Sequence, residues 1–252
     1  MTETHREPPV PRPAATLLLV RDDPFEVLMV RRANRGQFAS ALVFPGGVVE
    51  DGDRSKEWLP HLDGADELDP DERALRIAAI RETFEETAIL VAENEEGICP
   101  PIADATGRGF LDLVREHGLR LRLDAIVPFA HWITPDIAPK RFDTHFYVAK
   151  APHHGEAVCD GAETVALEWA NPHEVIERAR AGERSILFPT RLNLVRLAES
   201  HDAASALAAA AARPHFVVHP WPEKREGGMA VVIPAEAGYA ETENFHPSGT
   251  GL

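Results

Sequence analysis

The sequence predicts an α/β or α+β sandwich around a mixed sheet, on three observations. Apolar strand-like runs and helix-periodic segments are interleaved along 252 residues without strict βαβ alternation. Hydrophobic residues make up 44% and charged residues 27%, a balance that suits a folded, soluble core. Residues 69–91 carry apolar side chains at helical spacing beside a dense carboxylate edge.

Taken in order, residues 1–13 are polar and proline-rich and read as a flexible lead-in; they lack the basic-then-apolar order of a secretory signal. Residues 15–20 and 27–31 are two strands around the turn "RDDPF", a hairpin. A short strand at 42–44 stops at Pro45-Gly46-Gly47, where two glycines permit close backbone approach to a ligand. Residues 48–68 are acidic and irregular. Asp69 then supplies an N-cap, Pro70 suits the first helical position, and Glu72 completes a capping-box pattern, so a helix is expected to run to about Val91.

Further on, "GFLDLVREHG" reads as a short helix. "LRLDAIVPFAHWIT" and "DTHFYVAK" read as strands joined by "PDIAPKRF", and "TVALEW" as another. "PHEVIERARAG" and "PTRLNLVRLAESHDAASALAAAAA" read as helices, the second long and alanine-rich. From about Arg213 the chain is rich in Pro, Gly and Glu with one apolar run, which predicts a hairpin before the end frays. The implied organisation is a lead-in at 1–13, one domain at 14–212 with an insertion at about 54–68, and a C-terminal extension at 213–252. The alanine-rich helix and the tail offer apolar surface for a homodimer, and packing within one chain accounts for it equally well.

Composition excludes several classes of partner. With 26 basic against 41 acidic side chains, the net charge of −15 argues against a general grip on nucleic acid or an anionic membrane. A phosphate-bearing substrate would need a local cation to invert that field. The longest apolar runs fall well short of the roughly 20 residues a membrane span needs. Cys99 and Cys159 are too few for a disulfide framework, which points to a reducing cytoplasm.

The stretch "RETFEET", residues 81–87, sets Glu82, Glu85 and Glu86 at i, i+3 and i+4. On a helix, Ile77, Ile80, Phe84, Ala88 and Val91 form one apolar stripe, with the three carboxylates roughly 150° away. Crowding like charges costs roughly 0.2–0.5 kcal/mol per i,i+4 pair. Either the face is simply solvated or a cation sits there. A hard ion such as Mg²⁺ takes one or two carboxylates together with waters and substrate phosphates.

Residues 47–89 resemble a Nudix box. Gly47 matches its first glycine, Asp53 stands where a glutamate is usual, Arg81, Glu82, Glu85 and Glu86 match its core, and Ile89 its last aliphatic position. Residues 54–80 fill the place of a much shorter spacer, and Thr83 and Ala88 occupy the aliphatic and second glycine positions. The insertion ends just before a freshly capped helix, so it is expected to loop out without disturbing the glutamates. "VLMVRRANRGQFASALVFPGG", "HWITPDIAPKRFDTHFYVA" and "FPTRLNLVRLA" resemble the Nudix branch that includes peroxisomal CoA diphosphatases, which also carries an insertion inside the box. Where the stricter CoA-enzyme motif has an arginine and a glycine, this chain has Gly36 and Ser40.

The resemblance implies a Nudix-type α/β/α sandwich with a mixed sheet and a metal-dependent hydrolase of a nucleoside diphosphate derivative, CoA or acyl-CoA favoured. It implies that Glu82, Glu85 and Glu86 hold Mg²⁺ or Mn²⁺ with the Gly47 carbonyl as a further ligand, that Glu85 and Glu86 are catalytic, and that Arg81 pairs with a carboxylate. Arg31, Arg32 and Arg35 are the candidates to hold substrate. Glu163 is the leading candidate for general base and Glu168 a lesser one. NADH, ADP-ribose or a nucleotide sugar are alternative substrates, and a silent ligand-binding or sensor module is the alternative class. His131, His145, Trp132 and Phe142 read as packing or solvated positions, and His153-His154 as a polar loop. Cys99 and Cys159 read as inert.

Overall fold

The computed structural model describes residues 7–32, 41–100, 102, 109–152, 157 and 164–248. Strand β1 (Arg12–Arg21) turns through the expected hairpin into β2 (Glu26–Arg32), and β3 (Leu42–Val43) and β4 (Gly46–Val48) follow. Two 3₁₀ turns, Asp51–Arg54 and Lys56–His61, lead to β5 (Leu62–Asp63) and helix α1 (Pro70–Thr87). Next come β6 (Ala92–Glu93), α2 (Phe110–Glu116), β7 (Arg120–Arg122), β8 (Val127–Ile133), β9 (Phe142–Lys150) and β10 (Thr164–Ala170). The chain closes with α3 (Pro172–Arg180), α4 (Phe188–Leu197), α5 (Ala203–Ala212), β11 (Val217–Val218), β12 (Trp221–Arg225), β13 (Gly228–Val232) and β14 (Glu243–Pro247).

The main sheet runs β10-β2-β1-β9-β8-β11, with β3 paired to β2 and β4 to β1. It is mixed, because β1–β9 and β8–β11 are parallel and the other pairs antiparallel. Alternation along the strands divides the core in two. Leu17, Leu19, Leu28 and Tyr147 meet Ile77, Ile80 and Phe84 of α1 on one face. Leu18, Val20, Val27, Met29 and Val148 meet α3, α4 and α5 on the other, through Val175, Leu192, Ala203 and Ala206 among others. The chain is therefore the α/β/α sandwich on a mixed sheet that its sequence predicts. Among the described residues no helix is long and apolar enough to cross a membrane.

Helix α1 starts as expected: the Asp69 carboxylate accepts from the backbone N–H groups of Asp71 and Glu72, both at 2.9 Å. Glu72 does not reach back to complete a capping box. It accepts instead from Arg76 Nε at 2.7 Å and from the Tyr147 hydroxyl at 3.1 Å, tying the first turn to the sheet. The helix ends at Thr87, one turn short of the expected Val91, because Ala88 takes a left-handed backbone at φ 58° and ψ 12° while its N–H still bonds Phe84 O at 2.7 Å. Thr83 and Thr87, buried inside the helix, satisfy their hydroxyls on the carbonyls of Ala79 and Thr83 at 2.7 and 2.6 Å.

Three other expectations are corrected. The strand read through residues 121–134 breaks into β7, which joins β5 and β6 in a small sheet, and β8. The Arg76 guanidinium forces the break by donating to Leu123 O at 2.7 Å and Ile126 O at 3.0 Å. The long alanine-rich helix is two helices, because Asp202 and Ser205 form a reciprocal capping box and the Asp22 carboxylate accepts from Ala203 N at 2.8 Å. The chain after Arg213 does more than form a hairpin: β11 extends the main sheet, β12–β13–β14 make a second antiparallel sheet, and Tyr239 enters the core. There the Tyr239 hydroxyl accepts from Trp132 Nε1 at 3.1 Å and donates to Asn193 Oδ1 at 2.7 Å, with Arg196 over its ring.

A left-handed backbone costs an alanine roughly 1–2 kcal/mol, while a glycine gives part of that back through its freer unfolded chain. Ala88→Gly is accordingly expected to raise stability by about 0.5–1 kcal/mol, read as a higher urea midpoint at unchanged slope.

Candidate functional site

The second half of α1 and the glycine strand β4 face each other across the edge of the α1 core. Gly47 lies opposite Ala15 in the sheet, and a Cβ on Gly47 would stand 2.4 Å from the carboxylate carbon of Glu82. Only a glycine lets α1 come this close. A Cβ on Gly46 would meet Ala15 O at 2.5 Å, and the Gly46 N–H donates to Glu86 Oε2 at 3.1 Å. The turn thus presents backbone, not side chain, to the glutamates.

Arg81 organises the carboxylates from beneath. Its side chain is 7% exposed and pairs in fork geometry with Asp53, itself 2% exposed, through Nε–Oδ1 at 2.9 Å and Nη2–Oδ2 at 3.0 Å. The same guanidinium donates to Val48 O at 3.0 Å, to Glu82 Oε1 at 2.8 Å and to Glu85 Oε2 at 3.0 Å. Asp53 also accepts from the Glu50 N–H at 2.8 Å. Five bonds from one side chain therefore fix β4, the start of the insertion and two of the three glutamates.

The charges do not balance within this frame. Burial works against the Arg81 charge, but Asp53, Glu82 and Glu85 outweigh it and hold its pKa above the ordinary value. Burial pushes the Glu82 carboxyl up, more than Arg81 pulls it down, with Glu85 and Asp53 adding repulsion. Burial likewise raises Glu85, assisted by repulsion from Glu50 and Asp53. One guanidinium shared among Asp53, Glu82 and Glu85 leaves excess negative charge. An all-oxygen donor set with one member, Glu85, half exposed to solvent fits a hard divalent ion.

The structure thus places Glu82 and Glu86 against the glycine turn and Glu85 beside Glu82 on Arg81. Arg31, on β2, alternates onto the side of Val27 and Met29, away from α1. Arg32 lies at the end of β2, and Arg35, Gly36, Ser40, His153, His154, Cys159 and Glu163 lie outside the described residues. Glu168 sits on β10 opposite Met29 and pairs with Arg184. Trp132 is buried core, Phe142 is half-buried at the start of β9, and burial pushes the half-buried Cys99 thiol up. His131 and His145 stand face to face on β8 and β9, where burial and the neighbouring His131 hold His145 below the ordinary imidazole range.

The sequence reading missed two participants. The Gly46 N–H that holds Glu86 carries no side-chain signal. Glu50, which adds to the negative field, is legible only as one acid among many in an acidic stretch.

The model of the NUDT19 Nudix domain matches residues 61–197. The acyl-coenzyme A diphosphatase NUDT19 of Gallus gallus is 30% identical over 233 residues, covering 69% of this chain and 61% of that protein. The human protein of the same name is 28% identical over 252 residues, covering 78% and 64%. The chain thus spans about three fifths of the length of the curated relatives it matches. A solved Nudix hydrolase from Alicyclobacillus acidocaldarius is 30% identical with a TM-score of 0.72, covering 81% of this chain and 99% of that one.

Two measurements check this frame. Asp53→Ala removes two of the five bonds of the buried Arg81 guanidinium, which keeps Glu82, Glu85 and Val48 O, and the expected cost is about 1–3 kcal/mol in urea unfolding. Glu82 has its pKa above the ordinary 4.5 in the folded chain, so without metal the unfolded chain releases that proton first and stability is lost as pH rises from 4.5 through the folded value. Glu82→Gln removes this loss, so its midpoint relative to wild type should climb between pH 4 and pH 7; a flat difference would contradict the burial argument.

Proposed function

The chain belongs to the Nudix hydrolase family, and on that premise we propose that it is a metal-dependent hydrolase cleaving the diphosphate linkage of a nucleoside diphosphate derivative, with CoA or acyl-CoA the favoured substrate. The observation that carries this reading is the placement of Glu82 and Glu86 against the glycine turn of β4, with Glu85 beside Glu82 on a single arginine that also serves Asp53. The names of the NUDT19 relatives favour an acyl-CoA substrate.

Glu82, Glu85, Glu86 and the Gly47 carbonyl would hold Mg²⁺ or Mn²⁺, which supplies positive charge to the diphosphate and lowers the pKa of a bound water. The chain's own groups do the rest. The Gly46 N–H presets Glu86, so this carboxylate enters the site already oriented. Arg81 orients Glu82 and Glu85 from the buried side and does not reach substrate. Glu85, half exposed, and Glu163 are the groups proposed to accept the proton of the attacking water. Because Arg31 turns to the far face, Arg32 and Arg35 are the arginines proposed to hold phosphate. The acidic surface disfavours nucleic acid as substrate, and with only Cys99 and Cys159 to oxidise we place the protein in a reducing cytoplasm.

The test is a turnover screen with Mg²⁺ and Mn²⁺ over CoA, acyl-CoA, NADH, ADP-ribose, nucleotide sugars and diadenosine polyphosphates. Metal-dependent release of a monophosphate is expected. Glu85→Gln and Glu86→Gln should each lower kcat by at least about 10³-fold, corresponding to several kcal/mol of lost charge stabilisation. Full activity in both variants would refute the assignment, and no turnover on any substrate would favour a ligand-binding module.

A further inference from the structure

A second group of donors lies on the α1 side of the sheet. In the register, Gly47 on β4 faces Ala15 on β1, Ala15 faces His145 on β9, and His145 faces His131 on β8. At about 4.8 Å per strand, His145 is roughly 10 Å from Gly47 and His131 roughly 14 Å. Tyr147 and Ala149, at alternate positions after His145, pack with α1, so Asp143 and His145 point to that same side.

The three side chains converge. His131 Nε2 bonds Asp143 Oδ1, and His145 Nε2 lies 3.8 Å from the same oxygen. The two imidazole rings stack with centroids 3.8 Å apart and planes inclined by 32°. One ligand atom from each of the three lies within 4.8 Å of the others, an arrangement unmatched by other His, Cys, Asp or Glu trios among the described residues. A hydrogen-bonded His–Asp pair accounts for two of these groups. It gives no reason for the second imidazole to crowd the same carboxylate oxygen.

We propose that His131, Asp143 and His145 form a second cation site, separate from the glutamates, that takes a borderline divalent ion such as Zn²⁺ or Co²⁺. Two imidazole nitrogens and one carboxylate oxygen are the donors such ions prefer, whereas Mg²⁺ prefers oxygen throughout. Metal–ligand bonds of roughly 2.0–2.2 Å in a tetrahedron separate ligand atoms by roughly 3.3–3.5 Å. The 3.8 Å between His145 and Asp143 is within a small side-chain rotation of that figure. All three residues are half-buried, so the ion keeps at least one position open to water or a phosphate oxygen. From the facing helix, Glu72 adds a negative charge felt at His145, which favours a cation further. The site does not depend on the hydrolase assignment.

Binding is read directly, without turnover. The full chain and a Glu85→Gln/Glu86→Gln variant are titrated with Co²⁺ in excess Mg²⁺, following visible d–d absorption and calorimetric stoichiometry. Both should bind one equivalent with bands of low coordination number. Asp143→Asn and His145→Phe should weaken binding by at least about tenfold, the loss that even outer-shell changes produce. His145→Phe keeps a flat ring against His131, and His131→Gln is a second variant should either fail to fold by circular dichroism. Retention of the bands in folded His131→Gln and His145→Phe overturns the proposal. Their loss in the glutamate variant, or no binding by the unaltered chain, overturns it equally.

Discussion

The site depends on one buried ion pair. Arg81 and Asp53 meet in a fork beneath the glutamates, and each spends its remaining bonding capacity on backbone or on a site residue: Val48 O, the Glu50 N–H, Glu82 and Glu85. Such a pair is weak evidence for net stability, since desolvating two ions offsets much of their attraction. Its value here is geometric. A guanidinium has five donors in a rigid plane, so pairing it with Asp53 fixes where its remaining donors point. The position of Glu82 and Glu85 is then set by a residue inside the protein, although Glu85 itself opens to water.

The same pair explains how an insertion survives between the glycine turn and the glutamates. Loop-closure entropy grows slowly with length, so extra residues cost little if their ends are held. The ends are held here by Asp53 on Arg81 and by the cap at Asp69. Between them the inserted chain is ordered by joining the α1-side core, where the Trp58 ring packs on Phe110 and Phe110 on Phe84, and the Trp58 N–H donates to Gly52 O at 3.0 Å. Phe84 belongs to the glutamate helix itself, so the insertion packs against the back of the helix that carries the site.

Legibility followed the range of the interaction. The start of α1, the β1–β2 hairpin and the glutamate face are local patterns of caps, turns and periodicity, and were readable from the residues. The end of α1 was not, because the periodicity continues through Ala88 and Val91 while the Ala88 backbone reverses under the packing of residues 89–92. The break between β7 and β8 is imposed by Arg76, some fifty positions earlier, and Tyr239 is seated by Trp132 and Asn193 from two other elements. Glu86 was readable as a member of the cluster; its anchoring on the Gly46 N–H was not, since a backbone donor leaves no mark in a sequence.

The acidity of the chain bears on what such a site does. A net charge of −15 repels phosphates at long range, and the field is strongest where carboxylates crowd. Burial raises the pKa of Glu82 and Glu85 despite the adjacent Arg81, so among the described residues that one arginine does not offset the desolvation of the two carboxylates. More arginine would correct this permanently and leave the carboxylates occupied. The divalent ion proposed for the site would correct it reversibly and keep its open positions for other oxygens. Gly47 completes that logic, since a side chain there would run into the Glu82 carboxylate and close the space the proposed ion would need, while a side chain on Gly46 would strike Ala15 and Thr16 of β1.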